Sequence, residues 1–228
     1  MNSNKNTPRD TSYFQTSGAL LQAAKEWTSI VENFPYGLAA LIFYFILFQS
    51  ELIPRWLSGW GLVGATLMLA MGLLRMFGHP VIYLAIPIIL NELVLAVWLM
   101  VMGFNSSEIA YVIVGGLFIT ALVSVMLNGS GSFDDPDYLS AVSTNENKVL
   151  RGVLFQLILT ASVVAIPIIM FPILREHNEV LALGYIGARI FEGFFDAVIA
   201  ISLLLLLTLS REFVKAGTPT VKTDINKV

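Results

Sequence analysis

The stretch that decides the fold is LALGYIGARIFEGFFDAVIAISLLLLLTL, residues 181–209. This continuous apolar run is longer than the ~20 residues that a helix needs to cross the bilayer core. Apolar and polar residues do not alternate along it, so the run predicts a membrane helix and not a strand of a barrel. Three ionisable residues, Arg189, Glu192 and Asp196, interrupt it at membrane depth.

Working outward, five more apolar stretches have the length of a membrane helix. They cover residues 28–49, 57–77, 81–103, 109–127 and 150–174, and residues 181–209 complete the set. The sequence therefore predicts an all-α integral membrane bundle of about six transmembrane helices in a single membrane domain, residues 1–228. Small residues at close spacing, Gly61 and Gly64 in the second stretch and Gly184 and Gly187 in the sixth, predict close helix packing.

Composition supports a membrane protein and excludes several other classes. Apolar residues make up 56% of the chain, and charged residues only 13%, against ~25% in soluble domains. The net charge of −3 argues against a nucleic-acid partner. There is no cysteine, and the two histidines are too few for a multi-histidine metal or haem site. No catalytic motif occurs, so we expect no enzyme activity, cofactor or metal.

Two segments lie outside the predicted spans. Residues 13–31 are amphipathic, with Leu20, Ala24, Trp27 and Val31 on one face. An interfacial helix and a plain extension of the first span are equally good interpretations of this segment. Residues 128–149 are polar and acidic and are predicted to form a long loop.

The distribution of basic residues predicts an orientation. An even number of spans places both termini on one side of the membrane, and that side collects ten of the lysines and arginines in this topology, against two on the other. By the positive-inside rule, the termini are predicted to be cytoplasmic.

Several long motifs resemble one family of bacterial membrane proteins. They are TSYFQTSGALLQAAKEW, ELIPRWLSGWGLVGA, LNELVLAVWLMVMGFNSSEIA, DDPDYLSAVSTNENKVL, HNEVLALGYIGARIFE and LLLLLTLSREFVKAG. Together they resemble the uncharacterised family catalogued as domain of unknown function forty-three eighty-six. The resemblance spans roughly residues 11–220 and implies a multi-span protein of the bacterial inner membrane. It implies no activity, because the family has none assigned.

The order of the motifs differs from that of the family. The segment resembling residues 109–217 comes first in family members, and the segment resembling residues 11–108 follows it. The chain is therefore predicted to be a circular permutant with its junction near residues 103–110, which implies that the chain ends lie close together. The resemblance also implies the opposite orientation, with the Asn105 side in the cytoplasm.

Ionisable residues at membrane depth are the candidate functional site. Glu92, preceded by Asn91, lies in the middle of the third span. On the sixth span, Arg189, Glu192 and Asp196 share one helical face with Tyr185, at spacings of three and four residues. Buried charges face the bundle interior, so Arg189 is predicted to pair with Glu192 and with Glu92. The family motifs include these residues except Asp196, where the family pattern has an apolar residue.

Gln156 and Thr160, one turn apart on the fifth span, are secondary candidates. They either line a cavity or form hydrogen bonds between helices.

Three hypotheses about function follow from this cluster. In the first, the protein carries a small solute, a proton or another cation through the cluster. In the second, it is a non-catalytic scaffold, sensor or partner subunit in which a buried ion pair sets the helix register. A weaker third makes it an enzyme that acts on lipid. The predicted partners are the lipid bilayer and a small solute or cation, and a protein partner or a homo-oligomer is compatible with each.

Overall fold

The computed structural model describes residues 8–102, 113–117, 119–120, 123 and 138–217. Within these ranges there is no strand, and the predicted all-α class is confirmed. The helices are α1 (Pro8–Val31), α2 (Asn33–Ser50), α3 (Arg55–Met76), α4 (Ile86–Met102), α5 (Tyr138–Thr144) and α6 (Glu146–Gly217), and a short 3-10 helix (Ile82–Ala85) precedes α4.

The helix surfaces are those of a membrane protein. Within the described ranges, four segments are long and apolar enough to cross a bilayer: Ser12–Ser50, Arg55–Met76, Ile82–Met102 and Glu146–Ala216. Large apolar side chains on their outer faces, such as Val63, Ile168 and Phe194, are more than half exposed. Exposing this apolar surface to water would cost about 25 cal/mol per Å², whereas exposing it to lipid carries no such cost. The chain is therefore an integral membrane protein with a helical bundle.

The 72-residue helix α6 consists of two arms joined at Asn178, whose φ of −160° and ψ of 102° are not helical. The Asn178 side chain accepts a hydrogen bond at 3.0 Å from the backbone N–H three residues on, and so caps the second arm. The arms, residues 146–177 and 179–217, run antiparallel, since Gln156 contacts Asp196 and Glu146 contacts Arg211. They contain the fifth and sixth predicted spans.

Helices α1 and α2 are nearly continuous. Only Glu32 separates them, and its torsions (φ −55°, ψ −30°) are helical. The Glu32 N–H donates to the Thr28 carbonyl, and the Tyr36 N–H donates to the Glu32 carbonyl, so the hydrogen-bond ladder passes through the junction. At its other end α1 packs against α6, where the Phe14 and Phe213 rings lie 5.8 Å apart. This arrangement favours the extended first span over a separate interfacial helix.

Close packing in the bundle depends on two glycines of α3. A Cβ atom at Gly61 would lie 2.2 Å from the Tyr44 ring of α2, and one at Gly64 would lie 3.0 Å from the Ile88 Cα of α4. Small residues at these positions allow α3 to approach both neighbours, as predicted. The same prediction is wrong for Gly187 on α6, because nothing lies within 4 Å of the position its Cβ would take.

The fourth predicted span is described only in part. Residues 113–117, 119–120 and 123 are helical, and a Cβ at Gly115 would lie 2.8 Å from the Ala96 carbonyl of α4. The remainder of residues 109–127 and the predicted junction at residues 103–110 lie outside the described residues. The count of six spans therefore stays a prediction.

The prediction of a loop over residues 128–149 is wrong in its second half. Residues 128–137 lie outside the described ranges, but α5 and the start of α6 are helical. Helix α5 buries Tyr138, Leu139 and Val142 against Leu206 and Leu207 of α6. Seven residues with three buried apolar positions are too short a pattern to stand out within an acidic segment.

Cysteine labelling tests this topology, because the chain has no native cysteine. His79 in the α3–α4 turn, Asn147 at the start of α6 and His177 between its arms are all exposed. We expect an impermeant maleimide to label His79→Cys and Asn147→Cys from one side of the membrane and His177→Cys from the other. Labelling of the Asn147→Cys and His177→Cys variants from the same side would contradict a membrane crossing by residues 146–177.

Candidate functional site

A cavity of about 300 Å³ lies inside the bundle between the α1–α2 junction, α3, α4 and both arms of α6. Nine of its seventeen lining residues are apolar, and the polar ones include four carboxylates and two arginines. The cavity runs from an exposed end beside the α3–α4 turn to the middle of the bundle. Its charged residues are Glu32, Arg75, Glu92, Arg189, Glu192 and Asp196.

Arg189 occupies the inner end of the cavity. Its side chain is only 4% exposed, and its Nη1 lies 3.1 Å from both carboxylate oxygens of Glu192, one turn further along α6. The guanidinium also lies over two aromatic rings, 5.3 Å from the centre of Tyr36 and 5.6 Å from that of Tyr185. Such contacts stabilise a cation that has lost its water. The predicted Arg189–Glu192 pair is thus present.

Glu92 has a different partner from the one predicted. Tyr36 Oη on α2 donates a hydrogen bond of 2.9 Å to Glu92 Oε1 on α4. Among the described residues, no ion pair within 4.0 Å joins Glu92 to Arg189. Since the planar guanidinium already faces Glu192 and two rings, the nearby Glu92 interacts with it only through the longer-range field.

Asp196 has a buried carboxylate oxygen with spare acceptor capacity. Gln156 Nε2, on the first arm of α6, donates a hydrogen bond of 2.6 Å to Asp196 Oδ1. The other oxygen, Oδ2, has no hydrogen-bond partner within the described part of the chain, although the residue is only 1% exposed. A buried carboxylate oxygen without a partner is costly, and this one belongs to a residue that lines the cavity.

The outer end of the cavity contains Glu32 and Arg75, both partly exposed, and Ile82, which is 72% exposed. The α3–α4 turn frames it, with Gly78 at a φ of +79° that glycine adopts without strain. Glu32 lies within electrostatic range of Asp196 and of Arg75. The two arginines leave two carboxylates in excess when all six groups are ionised.

The other predicted residues do not line the cavity. Asn91 donates to the Leu57 carbonyl at 2.9 Å and joins α4 to α3. Tyr185 stacks on Phe43 of α2 with the ring centres 5.0 Å apart, and Thr160 bonds the backbone of its own helix. Asn91 and Tyr185 thus position helices around the cavity. The prediction is wrong for Thr160, which neither lines the cavity nor bonds another helix, whereas Gln156 does bond the second arm of α6.

Sequence reasoning missed Glu32, Tyr36 and the role of Arg75 in the cavity. Arg75 lies in the last turn of α3, where a long side chain would be expected to extend toward water. Glu32 and Tyr36 are four residues apart and therefore on one face of the first span. That spacing was the available signal for a polar face near the start of the span.

The fold and the cavity define an α-helical integral membrane protein with ionisable residues around an internal cavity. A family match narrows this class: the model of the family described as Domain of unknown function (DUF4386) matches residues 2–103 and 111–225. The chain belongs to this family, as the motifs indicated. No curated protein and no solved structure matches the chain.

Replacing Arg189 tests whether the ion pair supports the bundle. We expect Arg189→Leu to destabilise the protein by about 3–5 kcal/mol, because it leaves Glu192 buried without its cation. Arg175→Leu, which changes an exposed arginine on the other arm of α6, is the matched control and should have little effect. Unfolding of both variants in detergent measures the difference. Equal stability of the two variants would show that the pair contributes nothing to the fold.

Proposed function

We propose that the protein is a permeation protein that takes up a proton or another small cation into the bundle and passes it across the membrane. The observation that carries the proposal is the unpartnered Oδ2 of Asp196, buried beside a cavity that leads to an exposed end. Such an oxygen is a hydrogen-bond acceptor ready for a proton, a cation or water.

The charge balance supports a cation. The cavity holds four carboxylates and two arginines, so full ionisation leaves two negative charges in a low-dielectric region. An uncompensated charge at membrane depth costs several kcal/mol, and proton uptake or cation binding removes that cost. A purely structural cluster would be expected to contain matched numbers of charges.

The carboxylates form a series from the exposed end inward. Glu32 comes first, Asp196 and Glu192 follow one turn apart on α6, and Glu92 lies beside Arg189 at the inner end. Beyond Arg189, the rings of Tyr185 and Phe43 stack with their centres 5.0 Å apart. We propose that passage across the membrane requires a rearrangement of this packed region, as in proteins that open to one side at a time.

We also propose in which membrane the protein lies and to which side its cavity opens. The exposed end of the cavity lies at the end of the bundle toward which α1 and the second arm of α6 extend. With an inner bacterial membrane and cytoplasmic termini, this end would open to the cytoplasm. The proposal assigns the protein no enzyme activity, and a lipid-acting enzyme stays the weaker alternative.

A scaffold, sensor or partner subunit with a structural ion cluster is the second candidate function. It is favoured by the partners of the three inner carboxylates: Tyr36 for Glu92, Arg189 for Glu192 and Gln156 for Asp196. In that case the cluster would only set the helix register. The two candidates differ in whether neutralising Asp196 changes cation movement or only stability.

Cation currents in proteoliposomes distinguish them. We expect concentration jumps of protons, sodium, potassium or methylammonium to drive a current with at least one of these cations. Asp196→Asn should lower this current at least tenfold. A tenfold change corresponds to a loss of about 1.4 kcal/mol in the free energy of cation binding. The asparagine keeps an acceptor for Gln156, and Glu179→Gln, an exposed acid on the same arm, is the control. No current with any cation, or equal currents in Asp196→Asn and wild type, would refute the proposal.

We also propose that the chain is a circular permutant of its family. The two matched segments, residues 2–103 and 111–225, meet at the predicted junction, and Phe14 lies against Phe213 at the opposite ends of the chain. Short joins between the ends are therefore geometrically feasible.

A reordered chain tests the permutation. We expect a protein with residues 111–228 placed before residues 1–110 to insert into membranes and to unfold within a few degrees of the original chain, because the same helices pack together. Gel filtration and thermal unfolding in detergent are the measurements. Aggregation of the reordered chain alone would contradict the permutation.

A further inference from the structure

We infer that the ligand of this cavity is a small organic cation, a primary amine with an apolar body, and not an inorganic ion. The inference deepens the proposed function and rests on it. It follows from three features of the cavity: its excess of carboxylates, the free acceptor on Asp196 and its largely apolar wall.

The carboxylate excess selects against an anionic ligand. Of the two arginines, Arg189 already faces both oxygens of Glu192, and Arg75 lies within electrostatic range of Glu32. An anion would compete with these carboxylates for the same two cations. An ammonium group, in contrast, has three N–H donors and no acceptor, which suits the unpartnered Oδ2 of Asp196.

The apolar lining of the cavity disfavours the binding of an inorganic cation that has lost its water. Calcium and magnesium take six or more oxygen ligands, counting water. No group of three or more His, Asp or Glu side chains among the described residues is arranged to hold a metal. Besides its carboxylates and arginines, the cavity is lined by apolar side chains of α3, the short 3-10 helix, α4 and the first arm of α6, such as Met71, Ile88 and Leu159. These side chains offer a surface for hydrocarbon and no oxygen for an ion.

The volume fits a molecule of this class. A cavity of about 300 Å³ has room for about ten waters at ~30 Å³ each. That space far exceeds what a single desolvated ion needs, and it accepts a short alkyl chain behind an ammonium group. An amine bound at Asp196 would extend its chain along the apolar wall and displace water from it.

A homologous series of amines tests this ligand class on the purified full-length protein. The probes are methylammonium, propylammonium and pentylammonium, with the matching alcohols as neutral controls, and isothermal titration measures their binding. We expect the affinity to rise about fourfold per methylene, equivalent to about 0.8 kcal/mol, because each methylene is buried against the wall. The alcohols should not bind detectably, since they lack the charge.

Two variants test whether the amine binds in the cavity. Asp196→Asn should lower pentylammonium affinity at least tenfold, and Glu32→Gln, at a partly exposed position, should weaken it as well. Glu179→Gln should bind like the wild type. Equal affinity across the series, equal binding of alcohols, or unchanged binding by both Asp196→Asn and Glu32→Gln would refute the ligand class.

The amine-binding experiment and the cation-current experiment can have different outcomes, so the two proposals can fail separately. Absence of amine binding together with a proton or sodium current would refute the organic ligand and leave permeation standing. Amine binding that depends on Asp196, without a current for any cation, would support the ligand class and refute permeation.

Discussion

The ion pair between Arg189 and Glu192 is the constraint on which the rest of the bundle depends. A guanidinium at membrane depth is tolerated only when carboxylates and aromatic rings replace its lost water. Glu192 supplies the charge from the next turn of α6, and Tyr36 and Tyr185 supply the rings. Because Tyr36 lies on α2, the orientation of α2 against α6 is coupled to this one cation. Tyr36 in turn donates to Glu92, which extends the same constraint to α4.

The arrangement gives the arginine a carboxylate and two aromatic rings, but among the described residues its Nε has no hydrogen-bond partner and not every acid is satisfied. Asp196 keeps one oxygen without a partner, and Glu32 adds a further carboxylate near the exposed end of the cavity. A bundle built for stability alone would be better served by an apolar residue at position 196. A surplus acid beside an open space is the physical reason to connect the cavity with cation uptake and not with packing.

Much of this could be predicted from the sequence, but not all of it. The apolar runs indicated the helices, and the spacing of Arg189, Glu192 and Asp196 placed the three on one face because they share a helix. Hydrogen-bond and ion-pair partners on other helices were harder to predict from the sequence. Glu92 was paired with Arg189 from charge alone, yet Tyr36, 56 residues away, is its hydrogen-bond partner. Glu32 was missed since its spacing to Tyr36, one helical turn, is a pattern of only two residues next to a helix junction. Such contacts depend on how α2, α4 and α6 meet, which a pattern along one helix does not contain.

The most direct test of a water-reachable cavity that attracts cations is the reactivity of a cysteine on its wall. Ile89→Cys would place a thiol on the partly buried lining of α4, and Leu157→Cys would place one on a half-exposed, lipid-facing surface of α6. In membranes, we expect a cationic aminoethyl methanethiosulfonate to modify Ile89→Cys faster than the anionic sulfonatoethyl reagent does, and neither reagent to modify Leu157→Cys. An Ile89→Cys thiol that is inert to both reagents, or equally reactive with both, would contradict this expectation.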